Sequence, residues 1–159
     1  MANNQMILSK IKATAHYYDA VAIASLNNGH FVTLGARGTN GTYTVAAPSA
    51  ITDLGVVIVC EVPLSYEAQY TENEFVIATG AVIRTRVPEL GDVECYATAN
   101  YTATATATAG HFVIIDAATS KPEIVAALGG TESIAYEIKE AFTKAGVAMI
   151  KIQCIKAQV

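Results

Sequence analysis

Short runs of β-branched and aromatic residues, each ended by a turn signal, constrain the fold of this 159-residue chain most strongly. The run at residues 56–62 is continuous and rich in β-branched residues and stops at Pro63, as in a strand buried on both faces. Similar runs follow glycine-containing turns at residues 30–34, 42–45, 82–87 and 92–96. We therefore predict a mainly β fold, an antiparallel barrel or sandwich with at most one or two short helices.

The stretch NYTATATATAGHFV alternates threonine with alanine before it reaches Gly110. On a strand, the threonines at positions 102 to 108 share one face and the alanines share the other, whereas a helix would spread threonine around its axis. The competing interpretation is a disordered tether, but such tethers usually carry proline, serine, glycine or charge. The alternation predicts a strand over residues 102–109.

Gly-His-Phe-Val occurs twice, at residues 29–32 and 110–113. A match of this length arises by chance often enough in a biased composition that it does not establish a duplication. We predict an N-terminal arm at residues 1–18 and a β-rich domain at residues 19–159. Two small lobes, residues 19–98 and 99–159, remain an alternative within that domain.

The last third of the chain allows more than one interpretation. Residues 121–129 fit one or two helical turns, with proline near the start and glycine after the end. Residues 132–145 fit a helix through Ile134, Ile138 and Phe142, and equally a strand through Ile134, Tyr136 and Ile138. Residues 147–155 alternate as a half-buried strand does.

Composition argues against several classes of partner. A net charge of −4 and a pI near 5.3 provide no basic surface for nucleic acid or anionic lipid. The apolar runs are too short to span a bilayer, and the polar start does not predict a secretory signal. We expect a cytosol-made protein with no membrane partner, and free, buried thiols at its three cysteines.

Charge is very unevenly distributed along the chain. Between Asp19 and Asp53 only Arg37 is charged, and residues 95–115 carry no charge at all. Soluble domains normally spread charge over their exposed surface, so long neutral tracts favour a surface that partners cover. The alternative is a surface that threonine and asparagine keep soluble without ions.

No catalytic or metal-binding motif emerges from the sequence. The three histidines have no ligand spacing, and we expect His30 and His111 to cap backbone groups. The carboxylate pairs Glu72/Glu74 and Asp92/Glu94 fit solvated strand ends. Counting across the Pro88–Gly91 turn places Arg86 opposite Glu94, which predicts a cross-strand ion pair. We expect no enzymatic activity, cofactor or metal.

Three segments in this order, residues 29–34, 53–63 and 73–92, resemble the head decoration, or capsid cement, proteins of tailed phages. The resemblance covers roughly residues 20 to 115. The Thr-Ala run and the second Gly-His-Phe-Val have no counterpart in it. The matching residues are Phe75, Gly80, Arg84, Arg86, Gly91 and Asp92.

The resemblance implies a structural protein of the virion that is made in the bacterial cytoplasm. It would bind the major capsid protein on the outside of the shell, often as a trimer, and need no site chemistry. It further implies that a polar N-terminal arm lies over a neighbouring subunit, with contacts from Ala2, Asn3, Asn4 and Gln5. The alternative function is a β-sandwich carbohydrate- or cell-surface-binding module, for which several tyrosines are available.

Overall fold

The computed structural model describes residues 6–12, 15–61 and 76–158. These residues contain one 3-10 helix, Thr98–Asn100, and twelve strands, which confirms the predicted mainly β fold. The strands are β1 (Met6–Lys10), β2 (Tyr17–Val21), β3 (Phe31–Arg37), β4 (Tyr43–Ala46), β5 (Val56–Val59), β6 (Val82–Arg86), β7 (Val93–Ala97), β8 (Thr102–Ala103), β9 (Phe112–Ile115), β10 (Pro122–Val125), β11 (Ala135–Lys144) and β12 (Val147–Lys156).

The first half of the chain forms a closed five-stranded barrel in the order β2-β4-β3-β5-β6. Neighbouring strands are antiparallel except β2 and β4, which are parallel. Small aliphatic side chains fill the interior, because a barrel this narrow leaves little room between its walls. They include Ala20, Val32, Val45, Val57, Val59 and Ile83.

The other strands form a seven-stranded sheet in the order β1-β7-β12-β11-β9-β10-β8. Strands β11 and β12 form a long hairpin, so residues 135–144 are strand and not helix. A two-residue turn closes it, and both Ala145 (φ 50) and Gly146 (φ 81) adopt the left-handed conformation that such turns require. The helical interpretation of residues 121–129 is wrong, because Pro122–Val125 lies between β9 and β8 as a strand.

The barrel packs against the sheet through a shared wall made by β3 and β5. On β5, Val57 and Val59 face the barrel interior, whereas Val56 and Ile58 belong to a second core that includes Tyr136 of the sheet. All four β5 residues are buried. The prediction of a strand buried on both faces is confirmed for Val56–Val59, whereas Cys60 and Glu61 lie beyond the strand and are half-buried.

The N-terminal region and the lobe boundary differ from the predicted division. Residues 6–10, assigned to the arm, form β1 and pair with β7 at the edge of the sheet. Strand β2 also begins within the predicted arm, at residue 17. The chain passes from barrel to sheet between β6 and β7, before the predicted boundary at residues 98 and 99, and β1 belongs to the sheet.

The strand predicted over residues 102–109 is wrong beyond its first two residues. Pairing ends where the Thr104 and Ala105 amides both donate to the Ile124 carbonyl, and the chain then continues as a loop. The hydroxyl of Thr104 bonds the same carbonyl, since Thr104 Oγ1 donates to Ile124 O at 3.0 Å. Burial still alternates along the loop. Ala105 and Ala107 pack on the core, while Thr106 and its neighbouring threonines are exposed.

The two Gly-His-Phe-Val segments are two copies of one turn. In each, the histidine amide donates to the carbonyl three residues earlier, and the glycine has φ of 86° (Gly29) or 88° (Gly110). Gly29 donates to Val59 and Gly110 to Ile138 on the adjacent strand. The same pattern recurs, without histidine, at Gly80 and Gly91. The repeated sequence therefore reflects a repeated way of starting a strand, shared by β3, β6, β7 and β9.

Candidate functional site

A buried ion cluster joins the barrel to the sheet. The Arg86 guanidinium on β6 donates to the carboxylates of Asp92 and Glu94, and all three side chains are fully buried. The Tyr96 hydroxyl donates to the second carboxylate oxygen of Glu94 at 2.7 Å. Burial raises the pKa of Tyr96 well above its ordinary value, so the phenol stays protonated and remains a donor.

Backbone amides complete the coordination of Asp92. The Glu89 amide donates to Asp92 Oδ2 at 2.9 Å, and the Lys12 amide donates to Asp92 Oδ1 at 3.1 Å. The bond from Lys12 ties the segment after β1 to the start of β7. The cluster has no exposed side chain, and it connects the barrel to the seven-stranded sheet.

The structure brings Arg86 and Glu94 together, but not as neighbours on paired strands. Strand β6 closes the barrel against β2 and β5, whereas β7 lies in the sheet between β1 and β12. The ion pair therefore bridges two layers. The expectation of solvated carboxylates at Asp92 and Glu94 is wrong. The signal that could have corrected it is Tyr96, which shares a strand face with Glu94 and lies in the core.

A cleft of about 210 Å³ lies beside His30, where the barrel meets the loop after β9. The Asn27 amide donates to His30 Nδ1 at 3.5 Å, which leaves the ring proton on Nε2. His30 is 8% exposed, and its Nε2 has no hydrogen-bond partner among the residues that the structure describes. His111, in the matching turn, is more exposed and donates from Nδ1 to Thr106 O at 2.7 Å.

Folding depends on pH through His30. Burial first, and the nearby charge of Lys121 second, lower the pKa of His30 from 6.5 to about 4. The unfolded chain binds this proton more readily, so the stabilisation is complete above pH 6.5 and is lost as the pH falls towards 4. The full difference corresponds to about 3 kcal/mol.

Urea unfolding at pH 7, 5.5 and 4.5 tests this pH dependence. The free energy of unfolding should fall less with decreasing pH for His30→Gln than for the original chain. Equal losses would contradict the role of His30 in the pH dependence.

The charge-poor tract between Asp19 and Asp53 forms much of the outer surface of the barrel. Its exposed residues lie within positions 23–25, 35–40 and 44–49 and at position 52, and only Arg37 among them is charged. Ile23 is 58% exposed at one end of this surface. We call this set the neutral barrel surface. The neutral tract is thus not explained by burial within the chain.

The second neutral tract, residues 95–115, is divided between core and surface. Strands β7 and β9 are largely buried, and most of the exposed residues lie in the threonine-rich loop at residues 104–110. This loop adds a smaller uncharged surface on the sheet side of the molecule.

Other residues singled out from the sequence are spread over the structure. Arg84 is exposed on β6, next to Arg86 on the same strand face, while Gly80 and Gly91 occupy turns. Tyr17 is 48% exposed, whereas Tyr18 makes an edge contact with Tyr43, with ring centroids 5.3 Å apart. Several candidates lie outside the described residues: Ala2, Asn3, Asn4, Gln5, Tyr66, Tyr70, Glu72, Glu74 and Phe75.

Within residues 6–12, 15–61 and 76–158, no group of three or more histidine, cysteine, aspartate or glutamate side chains is arranged to hold a metal ion. The same residues include no helix with the length and apolar character needed to cross a bilayer. No known protein family matches the sequence, and no curated protein matches it. Proposals about function therefore rest on the residues themselves.

The three cysteines are free, as predicted. Cys95 and Cys154 are also buried, as predicted, whereas Cys60 is only partly buried. Burial raises the pKa of Cys60 to about 11 and that of Cys154 to about 12. Because the thiolate is the reactive species, we expect the native protein at pH 8 to react with a thiol reagent about two orders of magnitude more slowly than the unfolded chain. Timed labelling with and without guanidinium measures this, and rapid native labelling of all three thiols would contradict it.

Proposed function

We propose that this chain is a capsid decoration protein that binds the outer surface of a tailed-phage head and stabilises it through protein–protein contacts. Its partner is the major capsid protein, and it acts as a homo-oligomer, with a trimer favoured. It is made in the bacterial cytoplasm, resides on the virion surface, needs no cofactor, catalyses no reaction and binds neither nucleic acid nor membrane. The sequence resemblance motivates this proposal.

The neutral barrel surface is the observation that carries the proposal. It is exposed in the single chain, yet it presents almost no charge, so a partner covers it without the large cost of desolvating ions. Interface cores have the same depletion of charge. Contacts of this kind are individually modest, and their repetition over a shell gives a high overall affinity through multivalency.

Co-sedimentation with phage heads that lack their decoration protein tests the proposal directly. The original chain should sediment with the heads, and Ala36→Glu, which places a charge on the neutral barrel surface, should bind at least tenfold more weakly. Thr131→Glu, on an exposed loop of the sheet, is the matched control and should bind normally. If the original chain does not sediment with any head preparation, or instead binds a glycan array, the proposal is wrong.

The N-terminal residues are the second proposed contact with the capsid. Deleting Ala2, Asn3, Asn4 and Gln5 leaves β1 in the chain, so the fold should persist. In the same assay we expect the shortened chain to bind less tightly. Unchanged binding would remove these four residues from the proposed interface.

A further inference from the structure

Strand β11 extends beyond its neighbour β9 and leaves an edge that no described strand covers. Strand β9 pairs only with Tyr136 and Glu137 of β11, and the last hydrogen bonds on that side join Ile138 to residues 110 and 111. On the other side, β12 pairs with β11 as far as the hairpin turn. Within residues 6–12, 15–61 and 76–158, the end of β11 from residue 139 to 144 thus has a pairing strand on one side alone.

The open edge presents the backbone groups of two residues. Because a two-residue turn joins β11 to β12, Lys144 and Val147 form a hydrogen-bonded pair, and such pairs alternate with non-hydrogen-bonded pairs along an antiparallel ladder. Residues 140, 142 and 144 therefore direct their N–H and C=O groups towards β12, whereas Ala141 and Thr143 direct theirs outward. Both of these residues are exposed. An exposed edge of this kind is a template for a further strand.

The side chains along this edge limit which strand fits. Glu140, Phe142 and Lys144 lie on one face of β11, because side chains alternate along a strand. Phe142 is half-buried against a small cluster that includes Met149. Glu140 binds Lys151 on β12 at 2.6 Å, whereas Lys144 makes no ion pair with a described residue. The edge therefore presents an acid, an aromatic ring and a lysine in that order.

We propose that β11 pairs antiparallel with β11 of a second copy of this chain, with Phe142 opposite Phe142 of the second copy. This register places Glu140 of each chain opposite Lys144 of the other, where opposite charges stabilise a cross-strand pair. It also places Ala141 opposite Thr143, so their outward N–H and C=O groups bond each other across the edge.

Other registers lack this match of charge. With residue 141 or 143 opposite itself, Glu140 and Lys144 both lie opposite uncharged residues, and larger shifts place one of them opposite its own copy. The irregular pairing around Lys139, a feature that often protects an edge, precedes the regular stretch and does not interrupt it. A second copy is therefore favoured over an unrelated strand, because the sequence of this edge complements itself.

The pairing supplies a contact for the homo-oligomer of the proposed function, but it does not depend on capsid binding. It joins two chains about a twofold axis, so in a trimeric assembly it would link neighbouring trimers. A ladder of this length forms an interface smaller than those of stable complexes, so we expect a dissociation constant of roughly 10–100 µM.

Analytical ultracentrifugation at concentrations from about 10 µM to about 1 mM should show a monomer–dimer equilibrium. Lys144→Glu places like charges opposite each other at both ends of the pairing and should weaken the dimer about tenfold. Lys12→Glu makes the same change of charge at an exposed position outside β11 and should leave the equilibrium unchanged. Equal effects of the two variants would contradict the location of the interface.

A charge exchange between two variants tests the register. Glu140→Lys should weaken self-association as Lys144→Glu does, because each variant opposes like charges in its own dimer. A mixture of the two variants restores an opposite charge at both ends, so the mixture should dimerise more tightly than either variant alone. No gain in the mixture would contradict the register.

Disulfide cross-linking tests the twofold axis. Phe142→Cys places two cysteines opposite each other in a non-hydrogen-bonded pair, with Cα atoms about 4.5 Å apart, which suits a disulfide. Thr143→Cys is diagonal to its own copy, at about 7–8 Å, and should cross-link more slowly under the same mild oxidant. Equal rates would contradict the placement of the axis.

Two further outcomes overturn the proposal: a chain that stays monomeric at about 1 mM, and an oligomer whose mass Lys144→Glu leaves unchanged. If the chain dimerises through β11 but does not sediment with phage heads, capsid binding fails and the pairing stands. If the chain sediments with heads but stays monomeric when free, the pairing fails and capsid binding stands.

Discussion

Arg86→Met should lower the free energy of unfolding by about 3–5 kcal/mol, because it removes one partner from a fully buried ion cluster. Methionine approximates the length of the arginine stem but leaves the carboxylates of Asp92 and Glu94 buried without their counter-ion. Neither carboxylate is exposed, so water does not replace the lost guanidinium without opening the contact between barrel and sheet. Urea or guanidinium unfolding at pH 7 measures the loss.

Two control variants separate charge from packing. Arg84→Met makes the same change two residues away, at an exposed position of β6, and should alter stability by less than about 0.5 kcal/mol. Adding Asp92→Asn and Glu94→Gln to Arg86→Met removes the unpaired charges and should recover part of the lost stability. A loss below about 1 kcal/mol for Arg86→Met, with a value matching Arg84→Met, would show that the cluster contributes little.

Gly29→Ala should destabilise the protein by about 2–5 kcal/mol, the sum of a conformational cost and a packing cost. The substitution places a Cβ on a residue with φ of 86°, which costs about 1–2 kcal/mol. It also forces that Cβ into the ring of Tyr96, a fully buried side chain of β7. Overpacking of this kind costs roughly 1–3 kcal/mol more.

The second copy of the same turn supplies the matched control. Gly110 has φ of 88°, and a Cβ there would meet nothing within 4 Å. Gly110→Ala should therefore show only the conformational cost of about 1–2 kcal/mol. The difference between the two variants, measured by thermal or denaturant unfolding, isolates the contact with Tyr96. Equal losses at the two glycines would mean that the ring moves aside freely.

Local sequence signals predicted the strands well where one physical requirement dominated. The apolar run in β5 has no polar face, so it fits only a strand buried on both sides. Residues 132–145 stayed ambiguous because Ile134, Ile138 and Phe142 fit a helical period, whereas Ile134, Tyr136 and Ile138 fit a strand period. The two-residue turn at Ala145 and Gly146, together with pairing to β12, decided for the strand. Pairing partners are not visible in a local pattern.

In the Thr-Ala stretch, the predicted alternation of side chains is correct but the predicted strand is not. Alternating burial is present at Ala105 and Ala107, but a strand also needs a partner with free backbone groups. The two amides that would have continued the ladder both donate to Ile124 O, and the pairing ends there. Side-chain hydroxyls then compete for backbone groups, as they do in turns.

The sequence predicted a buried contact only where the residues that form it are close together in the chain. Counting residues across one turn was enough to place Arg86 near Glu94, but not to show that they join two layers or that Asp92 takes part. The lining of the cleft beside His30 comes from four segments, and its first and last residues, 23 and 120, are 97 positions apart. No motif can encode such a site, because its geometry exists only once barrel and sheet are assembled.

The wall that β3 and β5 share has a consequence for folding. Each of these strands contributes alternate side chains to two cores, so neither core is complete until the other is in place. Opening the barrel at β5 would expose the inner face of the sheet at the same time. We therefore expect the barrel and the sheet to fold and unfold together in one cooperative step.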